Sequence, residues 1–187
     1  MRKLLLPISM LYYIVLYIRH KFYDWGLLKS RSYDIPNICV GNLNLGGTGK
    51  TPHIEYLINL LSDEFKVAVL SRGYGRKTKG YLLANSNHSH KDIGDEPLQY
   101  FKKFNDIRIA VDENRCEGVE KLIQEENPPQ VILLDDAYQH RKIKPGLNIL
   151  LTDYYNLYST NNLVPAGILR DIKKAANRAD IIVVTKS

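Results

Sequence analysis

Val40-Gly-Asn-Leu-Asn-Leu-Gly-Gly-Thr-Gly-Lys-Thr51 is the stretch that decides the fold. A short apolar run, Asn37–Val40, precedes it, and an apolar-periodic run, Thr51–Leu61, follows. It therefore reads as a glycine-rich turn from a strand into a helix. Glycines 46, 47 and 49 let backbone N–H groups turn towards phosphate oxygens with no Cβ in the way. The helix N-terminus adds a partial positive charge at the same place. In such a loop Asn44, Leu45, Gly46, Gly47, Thr48, Gly49, Lys50 and Thr51 cradle a nucleoside triphosphate. Lys50 reaches the β- and γ-phosphates, and the Thr51 hydroxyl binds Mg²⁺. The strict pattern has glycine at position 44, where this chain has Asn.

Working outward, apolar runs predict strands at Asn37–Val40, Lys66–Ser71, Tyr81–Ala84, Ile107–Val111, Val131–Asp135, Asn148–Thr152 and Ile181–Thr185. Helical spacing predicts Thr51–Leu61, Glu96–Phe104, Asn114–Glu125 and Leu169–Asn177, and the polar Asn85–Ile93 reads as a flexible loop. The alternation implies crossover connections and a mainly parallel sheet covered on both faces. The expected fold class is α/β: a three-layer α/β/α P-loop architecture with an N-terminal membrane-associated helix. Residues 1–31 form that helical segment, and 32–187 the P-loop domain.

The 187 residues carry a formal net charge of +6. Six basic residues against Asp24 place +5 of it in residues 1–31, so the body is nearly neutral. A basic stripe across the folded domain is thus not expected, and nucleic acid is not an expected partner. Leu4 to Ile18 is uncharged over 15 residues, short of the roughly 20 that span a bilayer. Tyr12, Tyr13, Tyr17, Tyr23 and Trp25 are interface-loving aromatics, and Arg19, Lys21, Lys29 and Arg31 follow as basic anchors. The expectation is a helix that dips into the cytoplasmic leaflet. A buried core helix and a cleaved signal peptide are the alternatives, the latter without a small-residue cleavage site. Cys39 and Cys116 have no CxxC neighbour and read as buried free thiols in a reducing compartment.

Four further stretches carry chemistry. Val131-Ile-Leu-Leu-Asp135-Asp136 is an apolar strand ending in two carboxylates, either of which suits Mg²⁺. Gln139 and His140 follow and suit orienting substrate or water, or belong to a polar loop. Gly94-Asp95-Glu96-Pro97 precedes a helix; Asp95 reads as an N-cap, or as a base towards an attacking hydroxyl. Ser71-Arg72-Gly73-Tyr74-Gly75-Arg76 offers two guanidinium groups to an anion, or is a solvated basic loop. In Leu163-Val-Pro-Ala-Gly-Ile-Leu-Arg170-Asp171, Arg170 suits neutralising a transferring phosphoryl group, or lies solvated on a surface helix.

Taken in order, GNLNLGGTGKTP, LSRGYGRKTKG, GDEPLQ, DDAYQHRKI, LVPAGILRD and ADIIVVTK resemble the tetraacyldisaccharide 4′-kinases of lipid A biosynthesis over essentially the whole chain. The resemblance implies an ATP-dependent, Mg²⁺-using enzyme on the cytoplasmic face of the bacterial inner membrane. Such an enzyme phosphorylates the 4′-hydroxyl of tetraacyldisaccharide 1-phosphate to give lipid IVA. It implies Asp95 and Arg170 as active-site residues, Asp95 as the catalytic aspartate, with Glu96 beside it, Lys50, Thr51, Asp135 and Asp136 at the phosphates and metal, and Gln139 nearby; Arg72 and His140 are expected to line the site from their own chemistry. It implies that the N-terminal segment binds the membrane, and that a small polar residue at position 44 is tolerated. Family members continue past Ser187 into a second lobe, whose histidine pairs with the catalytic aspartate; none of the five histidines here lies at that position. A truncated or partial chain is the expectation.

Other readings remain. A partitioning-type ATPase shares the GGxGKT loop but has a signature lysine where this chain has Leu45. Val184-Thr185-Lys186 suggests a GTPase, which needs an Asp shortly afterwards. A nucleotide- or membrane-binding module without catalytic activity is the third.

Overall fold

Runs such as Val67-Ala-Val-Leu and Val131-Ile-Leu-Leu show no polar alternation, which is what strands covered on both faces require. In the structure, a computed structural model describing residues 2–186, both runs are buried throughout. Among the described residues, seven strands form one sheet: β1 (Asn37–Asn42), β2 (Val67–Ser71), β3 (Leu82–Leu83), β4 (Arg108–Val111), β5 (Val131–Asp135), β6 (Leu147–Asp153) and β7 (Ile181–Thr185). Their order is β3-β4-β2-β5-β1-β6-β7. Every pairing is parallel except β3 with β4.

The helices are α1 (Leu6–Asp24), α2 (Lys50–Leu61), α3 (His90–Ile93), α4 (Asp95–Lys103) and α5 (Arg115–Ile123). Alternate strand residues feed two cores. Val40, Val67, Val69 and Leu133 pack with Ile54 and Ile58 of α2 and Tyr100 of α4. Cys39, Ala68, Leu70, Ile132 and Leu134 pack on the other face with Val119 and Leu122 of α5 and Leu16 of α1. The result is the expected three-layer architecture. Cys39 and Cys116 are both buried free thiols, and burial pushes the Cys39 thiol up to about 12.

Three expectations are corrected. The helix expected at Leu169–Asn177 is a run of turns followed by a 3₁₀ helix at Lys173–Arg178. Its backbone is committed elsewhere: Leu169 N–H donates to Asn162 O at 2.9 Å and Arg170 N–H to Leu43 O at 2.8 Å. Further on, Ile172 N–H donates to the Asp171 side chain at 2.8 Å and Ala175 N–H to Ile172 O at 2.9 Å, the i to i−3 bond of a 3₁₀ helix, so no α-helical ladder forms. The polar stretch 85–93 contains α3, started by a capping box in which Lys91 N–H donates to Ser89 Oγ and Ser89 N–H to Asp92 Oδ2. Asp95 is the first residue of α4, not its cap; Gly94 holds the cap position at φ 91°.

Helix α1 inverts the usual amphipathic arrangement. Its inward side is mainly polar: Ser9 Oγ donates to Leu163 O at 3.0 Å, Tyr12 Oη to Arg170 O at 3.1 Å, and His20 Nε2 lies 2.6 Å from Asp171 Oδ1. Only Ser9, Leu16 and His20 are buried, so it is not a core helix. Leu6, Met10, Leu11, Ile14, Val15 and Ile18 face outward, Met10 at 68% exposure. Among the described residues no helix is long and apolar enough to cross a membrane.

Candidate active site

Strand β1 ends in Asn42, and the loop to Lys50 turns at the carboxyl edge of the sheet, where open α/β sheets bind ligands. Gly46 and Gly49 have φ of 117° and 80°, conformations that side chains with a Cβ rarely adopt. Gly47 does not share that constraint, and no atom lies within 4 Å of a Cβ built there. Leu45, Gly46 and Gly47 are exposed, whereas Asn44 and Thr48 are buried. Asn44 is structural in its contacts: its Nδ2 donates to Asn156 O at 2.6 Å, and its backbone bridges to Leu169.

Asn42, which the sequence reading passed over, is the hub of the cluster. Its Oδ1 accepts from Lys50 Nζ at 3.5 Å and from Arg170 Nη2 at 2.5 Å, and its carbonyl accepts from Gln139 Nε2 at 2.7 Å. Arg170 also grips Asp136 through both Nη atoms, Nη1 to Oδ2 at 2.9 Å. Lys50 Nζ stands 3.7 Å from Asp136 Oδ1. Burial pushes the Asp136 carboxyl up, but the hydrogen bond and charge of Arg170, with Lys50 behind them, hold it below the usual carboxylate range. The backbone pairing that removes Arg170 from a surface helix is what delivers its guanidinium here.

Asp135 is placed differently. Its Oδ2 takes the Tyr100 hydroxyl at 3.4 Å, and its Oδ1 is buried without a hydrogen-bond partner. Burial first, then the charges of Glu96 and Asp136, push its carboxyl up to about 7. Thr51 Oγ1 donates to Glu96 Oε1 at 3.0 Å, which ties α2 to α4 at this point. Thr51, Glu96 and Asp135 thus form an oxygen-only donor set with one orphaned oxygen, the chemistry a hard cation takes. Among the described residues no group of three or more His, Cys, Asp or Glu side chains is assembled to hold an ion alone. Mg²⁺ fits such a site because it keeps water and phosphate oxygens among its ligands.

A cavity of about 430 Å³ opens beside this cluster, lined by Tyr12, Leu16 and Arg19 of α1 and by Arg72, Arg115, Asp136, Gln139, His140 and Arg170, among others. Arg72 is exposed at its rim. The second guanidinium of that loop, Arg76, is not available to a ligand: it pairs with Glu113 and donates to Gly80 O at 2.7 Å. His140 is pushed down to about 4 by burial, with Arg115 and other cations adding to it, so its imidazole is neutral at physiological pH. Asp95 is exposed in the first turn of α4. Gly73 and Gly94 hold that turn against the Arg72 loop: a Cβ on Gly94 would lie 2.9 Å from Tyr74 O, and one on Gly73 2.8 Å from Ile93 O.

The sequence reading also missed Arg115, a buried arginine that donates to Asp135 O at 3.1 Å and to Asp112 O at 2.6 Å. A cation in the first turn of a helix opposes the macrodipole, and that misfit in Asn114-Arg-Cys-Glu was the available signal.

The sequence profile of the family described as tetraacyldisaccharide-1-P 4′-kinase matches residues 1–187. A tetraacyldisaccharide 4′-kinase of Bacteroides fragilis is 57% identical over 185 residues, covering 98% of this chain and 49% of the relative. One of Flavobacterium johnsoniae is 53% identical, covering 100% of this chain and 55% of the relative. The crystal structure of an "apo" form of LpxK from Aquifex aeolicus in complex with ATP superposes with a TM-score of 0.91 at 41% identity, over 99% of this chain and 59% of that one. This chain spans about half the length of the curated relatives it matches. With the profile matched from end to end, the chain belongs to the tetraacyldisaccharide-1-P 4′-kinase family.

Proposed function

We propose that the chain carries the nucleotide site of a lipid kinase, which transfers the γ-phosphate of ATP to the 4′-hydroxyl of tetraacyldisaccharide 1-phosphate and so forms lipid IVA. The observation that carries this reading is the convergence of Lys50 and Arg170 on Asn42 and Asp136, directly beside Thr51, Glu96 and Asp135 at the mouth of the loop. ATP is the donor by relationship to a family member solved with it. Phosphoryl transfer asks mostly for positioning and charge neutralisation. Lys50 and Arg170 supply two cations that Asp136 holds in place until a phosphate competes for them. Mg²⁺, held near Thr51, Asp135 and Asp136, would neutralise charge on the β- and γ-phosphates. Arg72, Gln139 and His140 line the cavity in which the sugar lies, the neutral His140 able to hydrogen-bond a hydroxyl without carrying charge.

Asp95 is the base that takes the proton of the 4′-hydroxyl, and Glu96 is its neighbour at the metal side. Residues 1–31 act as the membrane-associated segment and 32–187 as the nucleotide-binding domain. The apolar outer side of α1 lies on the cytoplasmic face of the inner membrane, while Tyr12, Leu16 and Arg19 reach the cavity from its inner side. A lipid held at that surface thus has its headgroup brought to the loop. Asp95→Asn is expected to lower turnover roughly 10²–10⁴-fold, the usual contribution of a general base, with ATP affinity nearly unchanged. Lost ATP affinity with intact turnover at saturation would refute that role.

A further inference from the structure

The last strand ends against the phosphate loop. Thr185 Oγ1 donates to Thr48 O at 3.0 Å, and Lys186 Nζ to Gly47 O at 2.6 Å. Asp153 Oδ2, at the end of β6, accepts from the same ammonium at 2.8 Å and fixes it. Lys186 has φ of 60°, a left-handed turn that brings its side chain back over the loop. In a trans peptide the C=O and the following N–H point to opposite sides. The Gly47 carbonyl shares a peptide plane with Thr48 N–H, and the Thr48 carbonyl with Gly49 N–H. Holding both carbonyls towards β7 therefore turns two loop N–H groups the other way, into the concave side of the loop.

The same pair stands where a nucleoside would leave the loop. Thr51, Asp135 and Asp136 mark the metal and γ-phosphate end, on the β5 side of β1. The sheet order β5-β1-β6-β7 sends the other end of the ligand towards β6 and β7. There the Lys186 side chain is half exposed, and Tyr154 and Tyr155 follow β6 with their rings edge to face, Tyr155 at 78% exposure. An aliphatic lysine stem and exposed aromatic rings are surfaces that suit a planar base.

We propose that Thr185 and Lys186 are positioning and specificity residues of the nucleotide site: their side chains preset the N–H directions of the phosphate loop, and the Lys186 stem forms one wall of a purine-base subsite. The proposal rests on the nucleotide-binding reading above. It is tested by titrating Mg·ATP and Mg·tripolyphosphate into the chain and its Thr185→Val, Lys186→Ala and Lys186→Met variants. Thr185→Val is expected to weaken both ligands by a similar factor, about tenfold, the scale of one lost hydrogen bond at an anion site. Lys186→Ala is expected to weaken both, ATP several-fold more than tripolyphosphate. Lys186→Met, which restores an unbranched stem without the ammonium, is expected to bring back the preference for ATP but not the affinity for tripolyphosphate. ATP affinity within twofold of the parent in both Thr185→Val and Lys186→Ala overturns the proposal, and equal losses of the two ligands in Lys186→Ala overturn the base wall. If Thr185→Val lowers the melting temperature, the Lys186 variants, altered at an exposed side chain, decide alone. A parent chain that binds neither ligand refutes the nucleotide reading and this proposal together.

Discussion

Asp135 sits fully buried at the end of β5, and its raised pKa of about 7 sets two opposed pH effects. Because the folded chain holds that proton more tightly than the unfolded chain, the group favours the fold in acid. That contribution is lost as pH rises from the ordinary carboxylate range through about 7. In the proposed role at the cation the dependence runs the other way, since the carboxylate would be the ligand. Affinity for Mg·ATP is therefore expected to fall as pH drops below about 7, at a pH where Asp136, held low by Arg170, is still ionised. Asp135→Asn separates the two. At pH 8 without metal its melting temperature is expected to rise by about 5 °C, and its Mg·ATP affinity to fall at least tenfold. A variant that melts no higher at pH 8 would mean that Asp135 is not a strained carboxylate. The place of Lys50 and Thr51 at the carboxyl edge, beside Asp136 and Glu96, was legible at this scale, because the glycine-rich turn fixes it locally. Asn42 and Arg115 were not, because their roles rest on contacts with Arg170, Gln139 and Asp135, which the chain brings in from far along the sequence.

Helix α4 begins where two motifs interlock, and the glycines carry that junction. Gly94→Ala would place a Cβ 2.9 Å from Tyr74 O at φ 91°. It is expected to destabilise the chain by about 1–3 kcal/mol and to lower turnover further by displacing Asp95. Thermal melting and kcat measured together check both; an unperturbed Tm with unperturbed kcat contradicts the interlock. Helix α1 offers a second test. Met10→Glu with Ile14→Glu changes only the outward side, so the fold is expected to hold while partition onto anionic vesicles falls at least about tenfold. Cosedimentation decides it, and unchanged partition would mean that another surface meets the membrane. The uncharged run and its aromatics made α1 legible as a helix, but not its inverted packing, since Ser9, Tyr12 and His20 find their partners in residues 163–171. Leu169–Asn177 has real apolar spacing, but Leu169 and Arg170 pair with Asn162 and Leu43, and the turn after them closes through Asp171 Oδ1 and an i to i−3 bond at Ala175. The capping box of α3 was present as Ser89-His-Lys-Asp92 and was masked by the polarity of its surroundings.

Across the whole molecule, the strands were the most legible feature, because a parallel strand covered on both faces has to be a continuous apolar run. The order β3-β4-β2-β5-β1-β6-β7 was not, since it depends on crossovers that no short stretch encodes. That order gathers the function. It sets the end of β5, with Asp135 and Asp136, on one side of β1, and β6 and β7 on the other; in the proposed site a triphosphate across the loop would meet those carboxylates at one end and Lys186 at the other. Lysine and arginine converge on one carboxylate because the ends of β1 and β5 and the 163–171 segment meet at a single edge. The measurement that bears most directly on the kinase reading is transfer of label from γ-labelled ATP to tetraacyldisaccharide 1-phosphate in mixed micelles. It is made with the parent chain, with Lys50→Ala, and with a lipid blocked at the 4′ position. Labelled lipid from the parent, at least about 10²-fold less from Lys50→Ala, and none from the blocked lipid is the predicted result. Hydrolysis of ATP without labelled lipid, or equal labelling by Lys50→Ala, would contradict it.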